Sequence, residues 1–290
     1  MRQTFSFQRI TGIFTLILIC GAFGVTLRAQ EITSNCPVLD FDGNKVFSKQ
    51  ELLDVANKCL DRVGESGKPY ETEQLDYCLH KVLSQIRQKG YLQARFDKTL
   101  YEQNENVNQA IVPVNEGALY RVGEIKIENA KVLAPAQIIE MVGLKTGDVA
   151  DGEKLASGIF ERAKQTYGSL GYIQYTAEIT PTFHLKDRAE EGVADFLITV
   201  DEGPQFKIGS IKFAGGEKST IDLLRRELMV HDGEVFNPDL LNESIARMNN
   251  TGLYDRIDPD RDVEYHTNEK AALLDLTIRL KKRIATSVSH

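Results

Sequence analysis

The amino-acid sequence reads as α+β: a tandem string of three β-α-α-β-β units, each a three-stranded sheet covered by two helices. Three observations carry this reading. Motifs recur along the chain at fixed offsets. Within each recurrence the apolar period switches from about 3.6 residues to 2. Each unit spans roughly 80 residues, enough for one two-layer core when a helix pair covers a sheet.

The recurrences are direct. YRVGEIKI, from Tyr120 to Ile127, and FKIGSIKF, from Phe206 to Phe213, lie 86 residues apart. Each follows an acidic-Gly step, Glu116-Gly117 and Glu202-Gly203. Gly147 in LKTGD and Gly233 in VHDGE keep the offset of 86, and Gly90-Tyr91, Gly171-Tyr172 and Gly252-Leu253 recur every 81 residues. The five-residue slip predicts a shorter second helix in the last unit. These landmarks divide the chain into a targeting segment (1–30), three units (31–117, 118–203 and 204–282) and a tail (283–290).

At the N-terminus, Arg2 and Arg9 precede an uncharged stretch from Ile10 to Leu27, and Arg28, Ala29 and Gln30 restore polarity. That is the pattern of a secretory signal cut near Ala29. An uncleaved single-span anchor is the alternative, since eighteen apolar or small residues reach the lower edge of what crosses a bilayer. Lipidation at Cys20 is disfavoured by Ile19 before it. Export permits a disulfide among Cys36, Cys59 and Cys78, with Cys59–Cys78 the favoured pair and three buried thiols the alternative.

The first unit is the most divergent: a strand at Leu39 and Phe41, helices from Ser48 to Leu60 and Glu71 to Lys89, and strands near Leu92 to Tyr101 and Gln109 to Val114. Ser48 and Glu51 make a capping box. In the middle unit, Val122, Ile125 and Ile127 form a strand and Ala134 to Val142 a helix. Leu155, Ile159, Phe160, Ala163 and Tyr167 then give one apolar stripe, which Gly168 and Gly171 end. Two alternating strands close it: Ile173, Tyr175, Ala177 and Ile179, then Ala194, Phe196, Ile198 and Val200. The third unit repeats the order with Ile211 and Phe213, helices from Thr220 to Met229 and Pro238 to Asn249, and strands near Tyr254 to Tyr265 and Ala271 to Leu280. Asn237 caps the second helix, whose first turn holds Pro238. Glu-Gly steps join the units with linkers too short for free tumbling, which predicts a semi-rigid, elongated string.

Composition narrows the function. The 290 residues are 42% hydrophobic and 27% charged, without Trp, which fits a folded protein and excludes collagen-like and wholly disordered classes. Thirty-five basic residues face 42 acidic ones, a net charge of −7, and loss of Arg2, Arg9 and Arg28 with the signal would leave −10. Such a surface argues against nucleic acid as partner. His80, His184, His231 and His266 are scattered over the three repeats without a nucleophile signature or paired ligands, so neither a catalytic nor a metal site is expected. Asp255, Asp258, Asp260 and Asp262 lack the Gly and terminal Glu of a calcium loop, and Gly215-Gly216-Glu217-Lys218 lacks phosphate-loop spacing; both read as turns. No cofactor is expected.

The runs Glu202 to Ile211 (EGPQFKIGSI), Gly233 to Asn237 (GEVFN) and Asn249 to Asp255 (NNTGLYD) resemble the POTRA domains of BamA-type outer-membrane assembly factors and of two-partner secretion transporters. The resemblance covers about residues 36 to 282. The first unit departs from it, carrying Gly64-Glu65-Ser66-Gly67 in place of the Gly-Asp turn. Members of that type continue into a membrane barrel, whereas only Lys281 to His290 follow the third unit here; even eight strands would need roughly a hundred residues. The resemblance therefore implies a non-catalytic periplasmic scaffold, associated with the outer membrane through a separate barrel protein. Its partners would be unfolded outer-membrane proteins or assembly-complex subunits. A barrel lost by truncation and an exported enzyme with POTRA-like modules are the alternatives, the enzyme requiring a pocket that gathers His184 or His231 with acids.

An open sheet edge offers main-chain groups to an extended guest. In such domains the edge is the first strand after the helix pair, here Ile173, Gln174, Tyr175, Thr176, Ala177, Glu178 and Ile179. Its outer residues Gln174, Thr176 and Glu178 include no Lys or Pro, and Pro181 is expected to end the usable stretch.

Overall fold

A computed structural model of the chain describes residues 38–63, 72–104, 107–185 and 190–282. The targeting segment, Cys20, Cys36, residues 64–67 and the tail lie outside them. Three sheets and three separate hydrophobic cores follow one another. The first unit comprises β1 (Val38–Asp42), α1 (Lys49–Val63), α2 (Thr72–Gln88), β2 (Arg95–Phe96), β3 (Leu100–Asn104) and β4 (Val107–Asn115). The middle one comprises β5 (Leu119–Glu128), α3 (Pro135–Val142), α4 (Gly152–Ser157), a π-helical turn Gly158–Ala163, α5 (Lys164–Ser169), β6 (Thr176–Leu185) and β7 (Glu191–Asp201). The third comprises β8 (Lys207–Ala214), α6 (Lys218–Arg225), α7 (Pro238–Asn250), α8 (Pro259–Asp262), β9 (Val263–Asn268) and β10 (Leu273–Arg279).

In every unit the last strand is central: the orders are β1-β4-β2, β5-β7-β6 and β8-β10-β9. The leading strand lies parallel to it. Parallel neighbours need a crossover, and the helix pair supplies it, its apolar stripe covering one sheet face. The middle core centres on Tyr120, Ile138, Ile159, Tyr167 and Ile198, the third on Phe206, Ile208, Leu224 and Leu241, and the first on Phe41, Leu75, Val82 and Ile86. As the offset slip predicts, α7 is shorter than its counterpart: thirteen residues against three consecutive six-residue stretches.

Two expectations are corrected. The first unit's sheet has four strand segments, because its outer strand is broken into β2 and β3, both paired with β4. Phe96 faces Val114 but Leu100 faces Ile111, so the outer strand carries one extra residue between them, a bulge. In the third unit no strand begins at Tyr254. The Asn249 side chain bonds both the N–H and the carbonyl of Ile257, Asp258 caps α8 through the Asp260 N–H, and β9 starts only at Val263.

The repeated motifs acquire physical roles. Each Glu-Gly carboxylate reaches about seventy residues back to the loop after its own leading strand. Glu116 accepts from the N–H groups of Lys45, Val46 and Phe47, and Glu202 from those of Lys131 and Val132 and from the Tyr167 hydroxyl. Gly123 and Gly209 stand where β5 and β8 shift register against the central strand; a side-chain carbon there would collide with Asp195 and Asp275. Asp195 uses the space to accept the Glu124 N–H, and Asp275 accepts the Ser210 hydroxyl. Ser48 and Glu51 cap each other, and Asn237 accepts from Asp239 and Leu240. Among the described residues no helix is long and apolar enough to cross a membrane.

The two junctions share one geometry. The Gly90 carbonyl accepts the Tyr120 N–H and the Gly171 carbonyl the Phe206 N–H, each at 2.9 Å. Leu92 packs against the middle core and Ile173 against the third, and both glycines have positive φ and sit under a valine, Val149 or Val235.

Candidate functional site

A sheet can accept a guest strand only along an edge whose main chain is not already covered. The leading-strand edges of the middle and third sheets are covered. The turn after α3 folds back on β5, where Gly147 donates to Val122 and Val122 to Asp148, and Ala150 donates to Tyr120. The turn after α6 does the same on β8: Gly233 donates to Ile208, Ile208 to Glu234 and Phe236 to Phe206. The Gly147 and Gly233 turns singled out by the repeat therefore seal one rim of their sheets.

The opposite rims are β2 and β3, β6, and β9. β6 is the longest, ten residues paired without interruption to β7 from Thr176–Asp201 to Leu185–Gly192. The others are two, five and six residues long. Thr176, Glu178, Thr180, Thr182 and His184 face solvent, while Ala177, Ile179 and Phe183 turn toward the core, Phe183 against the Tyr120 ring at 4.7 Å. A shallow groove of about 680 Å³ opens beside the start of the strand, lined by Thr176, Glu178, Lys131 and Glu202 among others.

The predicted edge is thus shifted. Thr176, Ala177, Glu178 and Ile179 belong to β6, but Ile173, Gln174 and Tyr175 do not. They form the turn after Gly171, closed by the Tyr175 N–H on the Tyr172 carbonyl. Ile173 leaves for the third core, Gln174 bonds Glu269, and Tyr175 stacks on Tyr167 at 4.5 Å. Burial pushes the Tyr175 hydroxyl up to about 12, and it has no hydrogen-bond partner. Nor does Pro181 end the strand. It pairs with Phe196, and Thr182 to Leu185 continue the edge beyond it. An edge strand tolerates proline where the missing N–H faces outward. Phe183, in phase with Ala177 and Ile179, was the sequence signal for this extension.

The remaining chemical candidates lie apart. His184 of the middle unit pairs with Asp195 at 3.0 Å and His231 of the third with Glu234 at 3.3 Å, both pairs exposed; His80 is exposed in the first unit and His266 in the third. Among the described residues no group of three or more His, Cys, Asp or Glu could hold a metal. Asp258 serves as a helix cap. Asp262 is buried, and the Lys281 ammonium, the Asp258 N–H and Arg261 hold its carboxyl well below the usual carboxylate range against its burial. The Cys59 and Cys78 sulfurs are bonded, tying α1 to α2 with their Cα atoms 5.5 Å apart.

Comparison with known proteins agrees with this architecture. The family model described as POTRA, surface antigen variable number repeat, matches residues 120–203 and 206–283. The chain is 23% identical over 258 residues to the outer membrane protein assembly factor BamA of Neisseria meningitidis, covering 86% of this chain and 31% of that protein. It is 23% identical over 256 residues to a putative outer membrane protein assembly factor of Treponema pallidum, covering 86% and 29%. It therefore spans about a third of the length of these relatives. The crystal structure of Haemophilus influenzae BamA POTRA3-5 matches 86% of this chain and 96% of its own, with 19% identity and a TM-score of 0.61. Two consecutive matches with the family, over units whose sheets share one topology, make this chain a member of the POTRA, or surface antigen variable number repeat, family.

Proposed function

We propose that the chain is a non-catalytic scaffold on the periplasmic side of the outer membrane, taking part in outer-membrane protein assembly or secretion. It captures extended segments of unfolded outer-membrane proteins or of assembly-complex subunits by strand addition along β6. The observation that carries this reading is the ten-residue open edge of the middle sheet, whose opposite rim is sealed. Membership of the POTRA family and the likeness to assembly factors support the setting. With the missing N–H of Pro181 facing outward, every second residue, Ala177, Ile179, Phe183 and Leu185, offers the outward main-chain groups. Affinity comes from main-chain bonds, and the alternating Thr, Glu and His side chains set only a loose preference.

Photo-crosslinkers at Thr176, Glu178 and Thr180 test this against a synthetic strand from an outer-membrane protein, with Glu243 on α7 as control site. Crosslinks confined to the β6 positions are expected, and Ala177→Pro, which removes one outward N–H, should weaken binding several-fold. Equal labelling at Glu243, or no labelling along β6, would overturn the proposal.

A further inference from the structure

The helix pair of the first unit stays open along a seam that the other units close. In the middle unit a side-chain carbon on Gly158 would lie 2.5 Å from Val142 Cα, and the Arg162 guanidinium donates to the Met141 carbonyl at 2.7 Å. In the third, Ser244 on α7 accepts the Met229 N–H across the corresponding seam. Moved back by the 81-residue offset, Gly158 and Arg162 become Tyr77 and Lys81. There the side chains stand outward: Tyr77 is 51% exposed, and the Lys81 ammonium lies over its ring at 5.3 Å. A groove of about 510 Å³ runs between α1 and α2. Val55, Cys59 and Val63 line it at one-turn spacing, with Asp54, Lys58 and Arg62 beside them on α1. Tyr77, Lys81 and Gln85 line it from α2, again one turn apart. The bond from Cys59 to Cys78 holds the two helices together at this place.

We propose that this groove binds a short amphipathic helix of another protein, acidic on its flanks and carrying Leu or Phe side chains one turn apart. Charge decides the occupant. The chain as a whole has 35 basic residues against 42 acidic ones, yet the groove sets Lys58, Arg62 and Lys81 against the carboxylate of Asp54 alone. That carboxylate already accepts from the Gln50 amide at 2.7 Å. Among the described residues neither Lys58 nor Arg62 forms an ion pair. Unpaired cations on both walls suit carboxylates on both flanks of a guest. The floor from Val55 to Val63 spans roughly 12 Å, a little over two helical turns, which fits apolar side chains one turn apart and the helix-in-groove mode of recognition. A small anion would leave that floor uncovered, and a flat bilayer would meet the lysines without reaching it. The groove belongs to the first unit and β6 to the middle one, so the two proposals fail separately.

The test uses the full chain and a fluorescent helical peptide of about four turns, with leucines one turn apart and glutamates on both flanks. A second peptide carries lysines in place of the glutamates, and vesicles containing phosphatidylglycerol serve as a third probe. Anisotropy should show binding of the glutamate peptide only, weakening as salt is added. Lys58→Glu and Arg62→Glu should each weaken it about tenfold, and Tyr77→Ser several-fold, whereas Lys58→Arg, and Ala177→Pro on β6, should change it less than about twofold. All these positions except Ala177 are exposed, and circular dichroism with the thermal midpoint checks each fold. Absence of binding, equal binding of the lysine peptide, or affinity unchanged by both charge reversals would each refute the proposal. So would vesicle attachment, or self-association of the chain, that the charge reversals abolish while peptide binding is absent.

Discussion

Gly123 and Asp195 act as one device. The bulge in β5 leaves room beside the central strand that only a hydrogen can occupy, and the Asp195 carboxylate fills it while bonding the Glu124 N–H. Gly123→Ala should therefore destabilise the middle unit by about 2 kcal/mol through steric conflict. Shortening the aspartate removes the nearest of the clashing groups and leaves Val193 Cγ1, so the Gly123→Ala/Asp195→Ala double variant should cost less than the sum of the singles, a coupling that urea unfolding of all four proteins reads directly. The hydrogen-bonded carboxylates Glu202 and Asp262 give a second prediction. Burial alone would raise the Glu202 carboxyl, but the N–H groups of Val132 and Lys131 and the Tyr167 hydroxyl outweigh it and hold it low. Asp262 is held lower still, by Lys281 first. Because both values are depressed, the folded chain binds fewer protons than the unfolded one. The stabilisation is fully present above the unfolded values, about pH 4 to 4.5, and drains as pH falls through the folded ones. Asp262→Asn should cost about 2 kcal/mol at pH 7 and flatten the acid limb of the third unit's unfolding curve.

The disulfide joins α1 to α2 across a sequence separation of nineteen residues. Loop closure on that scale is worth about 3 kcal/mol, so reduction with dithiothreitol should lower the denaturation midpoint of the first unit and leave the other two unchanged. Probes on β1 and β7 would separate them. Strands such as β7 were legible because one face is buried throughout, giving strict alternation from Val193 to Val200. The same pattern misled one turn earlier. Ile173, Tyr175, Ala177 and Ile179 alternate without a break, yet only the last two lie in β6; the first two are buried by a turn, in two different cores. Periodicity reports burial, and a turn wedged between two cores can imitate a strand. The Glu-Gly steps were visible as a repeat, but their chemistry was not, because each carboxylate's partners lie about seventy residues upstream. Nor could the sequence show that the Gly147 and Gly233 turns cap the leading strands, since their bonds run to the far side of the first helix.

Tandem units with separate cores would melt independently if only short linkers joined them. Here each junction exchanges side chains as well. Ile173 follows the middle unit's helices in sequence but packs with Phe206, Leu241 and the rest of the third core, and Leu92 makes the same crossing from the first unit to the middle one. The leading strand of each later unit is also bonded at its first aromatic to the preceding glycine turn. Stability is thus partly borrowed from the unit before, as in repeat arrays where neighbour contacts add to the intrinsic stability of each element. Ile173→Ala tests this coupling. The lost side chain is only partly buried, so the cost should sit near the lower end for such truncations, about 2 kcal/mol. It should appear in the wrong place by sequence. Amide hydrogen exchange should quicken in β8 and β10 of the third unit while β7, which lies in the same unit as residue 173, keeps its protection. Exchange quickening in β7 alone would mean that Ile173 serves its own unit and that the junction is merely covalent. Leu92→Ala should reproduce the effect one step earlier, loosening β5 while β4 remains protected.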